Sequence, residues 1–196
     1  MIARTPWQIQ KTVFYALFLR EITTRFSGYR LGALWALIEP LSHILVLTFL
    51  FSFLRDRDGF KGVPFALFFA AGILSFFVFQ KVVKSLQAAI TSNMGLFGFR
   101  QVKPFDAIVT RAFIEFSLLL IVIACLAWFG AWFFSLPTLP HNLPLALWVL
   151  FLIFGIALGV GFFVAVIAVL HPEWVQLVDI FIRPLYFISG IFFPLS

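Results

Sequence analysis

Glu39 and His43 stand four residues apart inside an otherwise apolar run, a spacing that puts a carboxylate and an imidazole on one face of a helix. Such a pair could carry a proton, gate a path, or serve only as a hydrogen-bonded helix-packing contact, and the residue types alone leave those roles open. An ionised Glu near mid-membrane costs roughly 2.5–3.5 kcal/mol, so Glu39 is expected to face protein or water rather than lipid. Asp179 and Arg183 repeat the spacing in the last apolar stretch. A lone Glu and His lack the further ligands a metal needs, so no metal is expected. There is no GxxxxGK[ST], CxxC, HExxH or GxSxG motif. Any energy from ATP therefore has to enter through another chain, and no catalytic residue or cofactor is expected on this one.

The elements that hold these residues follow from composition. The chain has 196 residues, of which 63% are hydrophobic and 11% charged, and its mean hydropathy is +1.09. Those values belong to polytopic helical membrane proteins rather than soluble domains. A net charge of +6 could suggest nucleic acid, but the basic residues lie mainly at the ends of apolar runs, where they anchor and orient spans, so no nucleic-acid partner is expected. Cys125, the single cysteine, excludes an intrachain disulfide and reads as a small buried filler. The first eleven residues have no apolar core or cleavage site of a secretory signal.

Residues 1–30 form a segment too polar to span. Phe14, Phe18, Ile22 and Phe26 recur every fourth residue, which predicts an interfacial helix along the membrane surface; a helix continuing span one, bent at Gly28 or Gly32, is the alternative. Glu21 and Arg25 are spaced to support each other within that helix. Five apolar stretches follow, at about 31–54, 63–83, 112–136, 145–170 and 175–193, within one membrane domain covering 31–196. Pro40 predicts a kink in the first of them. RDRDGFKG (55–62) reads as a turn, and Lys81 and Lys84 close the second span with stems that can reach the interface.

Between the second and third spans, residues 85–104 break the pattern with a short helical piece (86–92) and a Gly-punctuated basic strip. A solvated connection accounts for the charges but not for Met94, Leu96, Phe97 and Phe99, so this loop is expected to meet a partner. Span three has a polar lead-in, where Arg111 and Glu115 share a face and are expected to pair. PTLPHNLP (137–144) is a rigid turn, and Gly155, Gly159 and Gly161 give span four a small-residue face. HPEW (171–174) is a tight turn, and Pro184, Gly190 and Pro194 suggest that the fifth stretch breaks before it emerges. Eleven basic residues fall on the N-terminal side of the membrane and three, Arg55, Arg57 and Lys61, on the other, which predicts a cytoplasmic N-terminus.

Three separated segments, LFLREITTRF with RLGALWALIEP, SNMGLFGFRQVKPFDAIVTRAFIE, and RPLYFISGIFFPLS, closely resemble the permease subunit of the ABC-2 type exporter of capsular polysaccharide in Gram-negative bacteria, in order and with similar spacing. The resemblance implies an all-α polytopic fold of six spans with an N-terminal amphipathic helix. In that family the chain continues past FISGIFFPLS into a re-entrant segment and a sixth span, so a truncated chain is the expectation here, a partner that supplies the missing part being the alternative. The resemblance also implies a bacterial inner-membrane location and a homodimer with a second permease. Further implied partners are a cytoplasmic ABC ATPase dimer that holds ATP and Mg, a lipid-linked polysaccharide, and periplasmic and outer-membrane export proteins. Ser92, Asn93, Gly95, Leu96, Phe97, Arg100, Lys103 and Pro104 fall where the family's coupling helix touches the ATPase. Glu39, His43, Asp179 and Arg183 are gate candidates, and Tyr15, Trp35, Phe76 and Phe79 are candidates for stacking on sugar rings along a glycan path. An ABC-2 exporter of O-antigen or teichoic acid, a membrane enzyme of polysaccharide assembly and a non-catalytic scaffold are the alternatives. The scattered acids, mostly near bases, disfavour the enzyme.

Overall fold

The computed structural model describes residues 5–26, 32–54, 64–135 and 137–189, and these form six α-helices with no strand among them. The helices are α1 (Pro6–Phe26), α2 (Gly32–Leu54), α3 (Phe65–Gln87), α4 (Pro104–Phe134), α5 (Leu143–Leu170) and α6 (Trp174–Ile188). A 3-10 turn, Thr91–Leu96, connects α3 to α4. Helices α3, α4 and α5 are long and apolar enough to cross a membrane, and α2 carries a shorter apolar stretch, Leu37–Phe51. At 1.5 Å per residue the 28 residues of α5 reach about 42 Å, more than a hydrocarbon core of about 30 Å requires.

The bundle is organised around α3, which packs against α2, α4, α5 and α6. Its residues explain the position: Phe69, Ile73, Val78, Val82, Val83 and Leu86 are all fully enclosed, so the helix is apolar on more than one face and has to be surrounded. The tightest seam lies between α3 and α5, where a Cβ on Gly161 would come within 2.4 Å of the Leu86 side chain. Gly155 and Gly159 are open to the surface instead. The small-residue face expected of span four is thus split, because only Gly161 lies on the side that meets α3.

Helix ends follow local chemistry. Pro104 opens α4, where its missing N–H costs nothing, and Asp106 accepts the Lys103 N–H at 3.0 Å. Ser135, in the left-handed conformation (φ 50°), ends α4. The following turn folds back, with Thr138 Oγ1 donating to the Ala127 carbonyl at 2.8 Å. Asn142 caps α5 by accepting the Leu145 N–H at 3.2 Å. Trp128, Trp132, Phe133 and Trp148 are exposed at this end, the composition of a membrane-interface belt.

Several expectations shift. Helix α3 runs on to Gln87, and the turn beyond it is 3-10 from Thr91 rather than helical over 86–92. Cys125 is exposed on α4, not a buried filler. Pro40 lies within an unbroken α2, a position compatible with the expected kink, and α6 runs through Pro184 to end at Ile188. The 55–62 turn, Gly28, Gly190 and Pro194 lie outside the described residues.

Candidate functional site

Functional side chains gather at the end of the bundle where α3 stops and α4 begins. Of the eight residues singled out in the connecting loop, Ser92, Asn93, Gly95 and Leu96 lie in the 3-10 turn, Phe97 follows it, Arg100 sits in the next turn, and Lys103 and Pro104 start α4. Ser92, Gly95, Arg100, Lys103 and Pro104 are exposed, Leu96 and Phe97 half-buried. Met94 (52% exposed), Phe99 (65%) and Phe105 (60%) stand out beside them. Asn93 differs: it is buried and donates to the Ala89 carbonyl at 2.8 Å, so it holds the turn rather than presenting a surface.

Helix α1 clamps this region through polar contacts that span 72 to 96 residues of sequence. Gln10 hydrogen-bonds Asp106, and Arg20 donates to Asn93 Oδ1 and, at 3.5 Å, to the Ser92 carbonyl. Glu21 accepts from Arg111 Nε at 2.7 Å, and Arg25 holds Glu115, one of its two bonds measuring 3.1 Å. Arg111 also donates to the Ser85 carbonyl at 3.2 Å. The expected Arg111–Glu115 pair is therefore replaced by ion pairs crossed between helices, because α1 lies alongside the polar lead-in of α4, while the charge of Glu21 still supports Arg25. Asp106 and Glu115 are almost fully buried, and burying a carboxylate without a partner is costly, so the α1 donors match an electrostatic need. Hydrogen bonding to Glu115 holds the Arg25 guanidinium above its already high pKa, against the opposing effect of burial. The Arg25 contribution to stability is thus present throughout the physiological pH range.

The aromatic stripe of α1 turns inward as well. Phe14 and Phe18 pack on Phe113 with ring centroids 5.8 and 6.5 Å away, and Val13 and Leu17 are buried beside them.

A second cluster lies two turns further into the bundle, where α2, α3 and α6 meet. It brings together residues that are more than a hundred positions apart. Glu39 of α2 pairs with Lys81 of α3, and Asp179 of α6 lies 3.5 Å from Lys84 of α3. His43 Nδ1 donates to the Glu39 carbonyl at 3.0 Å, and its ring meets Phe77 and Tyr186 edge-on at 5.5 and 6.5 Å. The Glu39 carboxylate thus pairs with Lys81 rather than with the His43 ring, which bonds only the Glu39 backbone carbonyl. Glu39 sits in the second turn of α2 with its side chain 47% exposed. Ion pairs of that exposure contribute about 0.2–1 kcal/mol each. Lys81 and Lys84 turn toward the two acids instead of merely reaching for the interface, and only the three-dimensional packing could reveal that. Arg183 is exposed and has no carboxylate partner among the described residues.

The four aromatic path candidates separate. Phe76 and Phe79 line a cleft of about 270 Å³ between α3, α5 and α6, together with Gly72, Ser75, Ile153, Ile156 and Ser189. Tyr15 and Trp35 are exposed on α1 and α2 and do not line it.

Comparison with known proteins adds a family. A family model described as ABC-2 type transporter matches residues 12–196. The polysialic acid transport protein KpsM of Escherichia coli is 37% identical over 198 aligned positions, covering 99% of this chain and 74% of that protein. The capsule polysaccharide export inner-membrane protein BexB of Haemophilus influenzae is 26% identical over 195 positions, 96% of this chain and 68% of that one. CtrC of Neisseria meningitidis, described in the same words, is 28% identical over 158 positions, 77% of this chain and 57% of that one.

Proposed function

The chain belongs to the ABC-2 type transporter family, and from that premise we propose that it works as the permease of a capsule exporter in which the 91–105 turn receives the stroke of a separate ATPase. It is a multi-pass inner-membrane protein and a permease subunit of an ABC exporter of capsular polysaccharide. The finer division of labour is our reading. Two permeases pair with a cytoplasmic ATPase dimer that binds ATP and Mg, the N-terminus is cytoplasmic, and the cargo is lipid-linked and passes on to periplasmic and outer-membrane proteins.

The observation that carries this reading is the construction of the turn. An isolated 3-10 segment is a poor lever, since it has few internal bonds to resist bending. Here Asn93 ties it to the end of α3, Arg20 ties it to α1, and the Asp106 and Glu115 bonds tie α1 to α4. A push on Met94, Phe99 and Arg100 is thereby transmitted to three helices at once. The exposed face combines apolar knobs with Arg100 and Lys103, a surface suited to an apolar groove with an acidic rim.

The test uses the permease co-expressed with its ATPase. Replacing Met94, Phe99 and Arg100 together with Ala should leave the permease in the membrane, reduce co-purification of the ATPase by about tenfold, equivalent to some 1.4 kcal/mol, and stop capsule export. Undiminished export with unchanged co-purification would remove the turn from the coupling role.

A further inference from the structure

At the end of α3 the hydrogen-bond ladder changes step. In a continued α-helix the Ala89 N–H would serve the Ser85 carbonyl, but it goes to Leu86 at 3.0 Å, the tighter pattern that recurs where Asn93 donates to Ile90 and Phe97 to Met94. The change of step releases the Ser85 carbonyl beside Leu86 and Ala89, which are fully enclosed, so it needs another donor. Arg111 Nη1 supplies one at 3.2 Å. We propose that Arg111 is a positioning residue for transport: by capping the Ser85 carbonyl it ends α3 at Gln87 and so fixes the direction in which the 91–105 turn presents Met94 and Phe99. The inference rests on the coupling reading above and deepens it by naming the side chain that seats the turn.

Where α3 stops matters because an α-helix turns by about 100° per residue. One more helical residue would carry everything after it round the axis by that angle, the exposed Met94 and Phe99 included. Asn93 cannot set this point, since its own bond to the Ala89 carbonyl lies beyond the change of step. Arg111 reaches the step itself, from α4, and its positive charge also suits the negative end of the α3 dipole.

The geometry calls for arginine in particular. Nε and Nη2 hold Glu21 Oε1 at 2.7 and 2.6 Å, which aims the planar guanidinium and leaves Nη1, on its other side, for the carbonyl. The side chain is only 14% exposed, so water competes little for either bond. A lysine has a single nitrogen on a shorter stem; it can keep the ion pair with Glu21 but cannot serve two acceptors on opposite sides of a fork. Arg111 therefore does two separable things, and one substitution separates them.

The experiment compares the parent permease, Arg111→Lys and Glu21→Gln, each co-expressed with the ATPase. Amide hydrogen exchange over residues 86–93 is followed in nanodiscs, and ATP hydrolysed per capsular glycan exported is followed in inverted membrane vesicles. Arg111→Lys should reach the membrane and co-purify with the ATPase as the parent does. Its exchange over 86–93 should nevertheless be about three- to tenfold faster, as expected for one lost hydrogen bond, and its ATP per glycan about threefold higher or more. Glu21→Gln still offers the guanidinium an acceptor and should keep exchange within about twofold of the parent. Unchanged exchange in Arg111→Lys, an equal rise throughout α5, or faster exchange with an unchanged ATP per glycan overturns the proposal. Should exchange over 86–93 rise as described while the parent complex exports no glycan on ATP, the seating of the turn stands and the coupling reading falls.

Discussion

Glu115 is a buried carboxylate whose charge is answered from another helix, and that makes Arg25 the residue whose loss should be felt most at the clamp. Arg25→Ala removes the guanidinium that satisfies the buried Glu115 side chain, at a cost of roughly 1–3 kcal/mol. The measurement is thermal unfolding in detergent, and Arg25→Ala with Glu115→Gln should recover most of the loss because the buried charge is removed too. Arg20 bears on function more than on stability. Its guanidinium spans Asn93 and Ser92 at the base of the turn proposed to meet the ATPase, so on that proposal Arg20→Ala should retain the ATPase yet raise the ATP hydrolysed per glycan exported, and Arg20→Lys should restore part of the coupling. These pairings were the least legible feature of the sequence. Arg111 and Glu115, like Glu21 and Arg25, sit at the spacing of a local helical pair, but each bonds across to the other helix. Spacing within one helix gives no information about a neighbouring helix 90 residues away that offers the same charges in complementary positions.

At the scale of elements the hydrophobic pattern carried further, because a span must bury nearly every backbone polar group within itself and so writes its length into the composition. The second to fourth apolar stretches correspond to α3, α4 and α5 with ends shifted by at most eight residues, the largest shift being the polar lead-in of α4, and the break at 85–104 contains the 3-10 turn. What the pattern lacks is rotation about each helix axis. Three glycines of α5 looked equivalent, yet only Gly161 meets a neighbour. Gly161→Val should therefore force α5 away from α3 and destabilise the bundle by about 1–3 kcal/mol, the usual cost of overpacking. Leu86→Ala in the same chain should relieve part of it. Gly155→Ala and Gly159→Ala, with nothing within 4 Å of the added atom, should leave the melting temperature of the monomer unchanged.

For the whole molecule the ordering of ends decides whether the scheme works, since the clamp and the turn have to lie where a cytoplasmic motor can reach them. The basic residues argue for this orientation, and the structure offers two exposed positions at opposite ends of α4 with which to examine it: Arg100 before its first turn and Leu139 after its last. The 31 residues of α4 separate those ends by about 46 Å, more than the bilayer core, so a reagent that cannot cross the membrane discriminates between them. Cys125 is exposed on α4 and has to be replaced by Ser first to leave a silent background. In spheroplasts a charged maleimide should then modify Leu139→Cys at once and Arg100→Cys only after permeabilisation. The reverse order would put the turn outside, away from any ATPase. A single labelling result of that kind would dismantle the coupling proposal, while leaving the helix packing and the family membership intact.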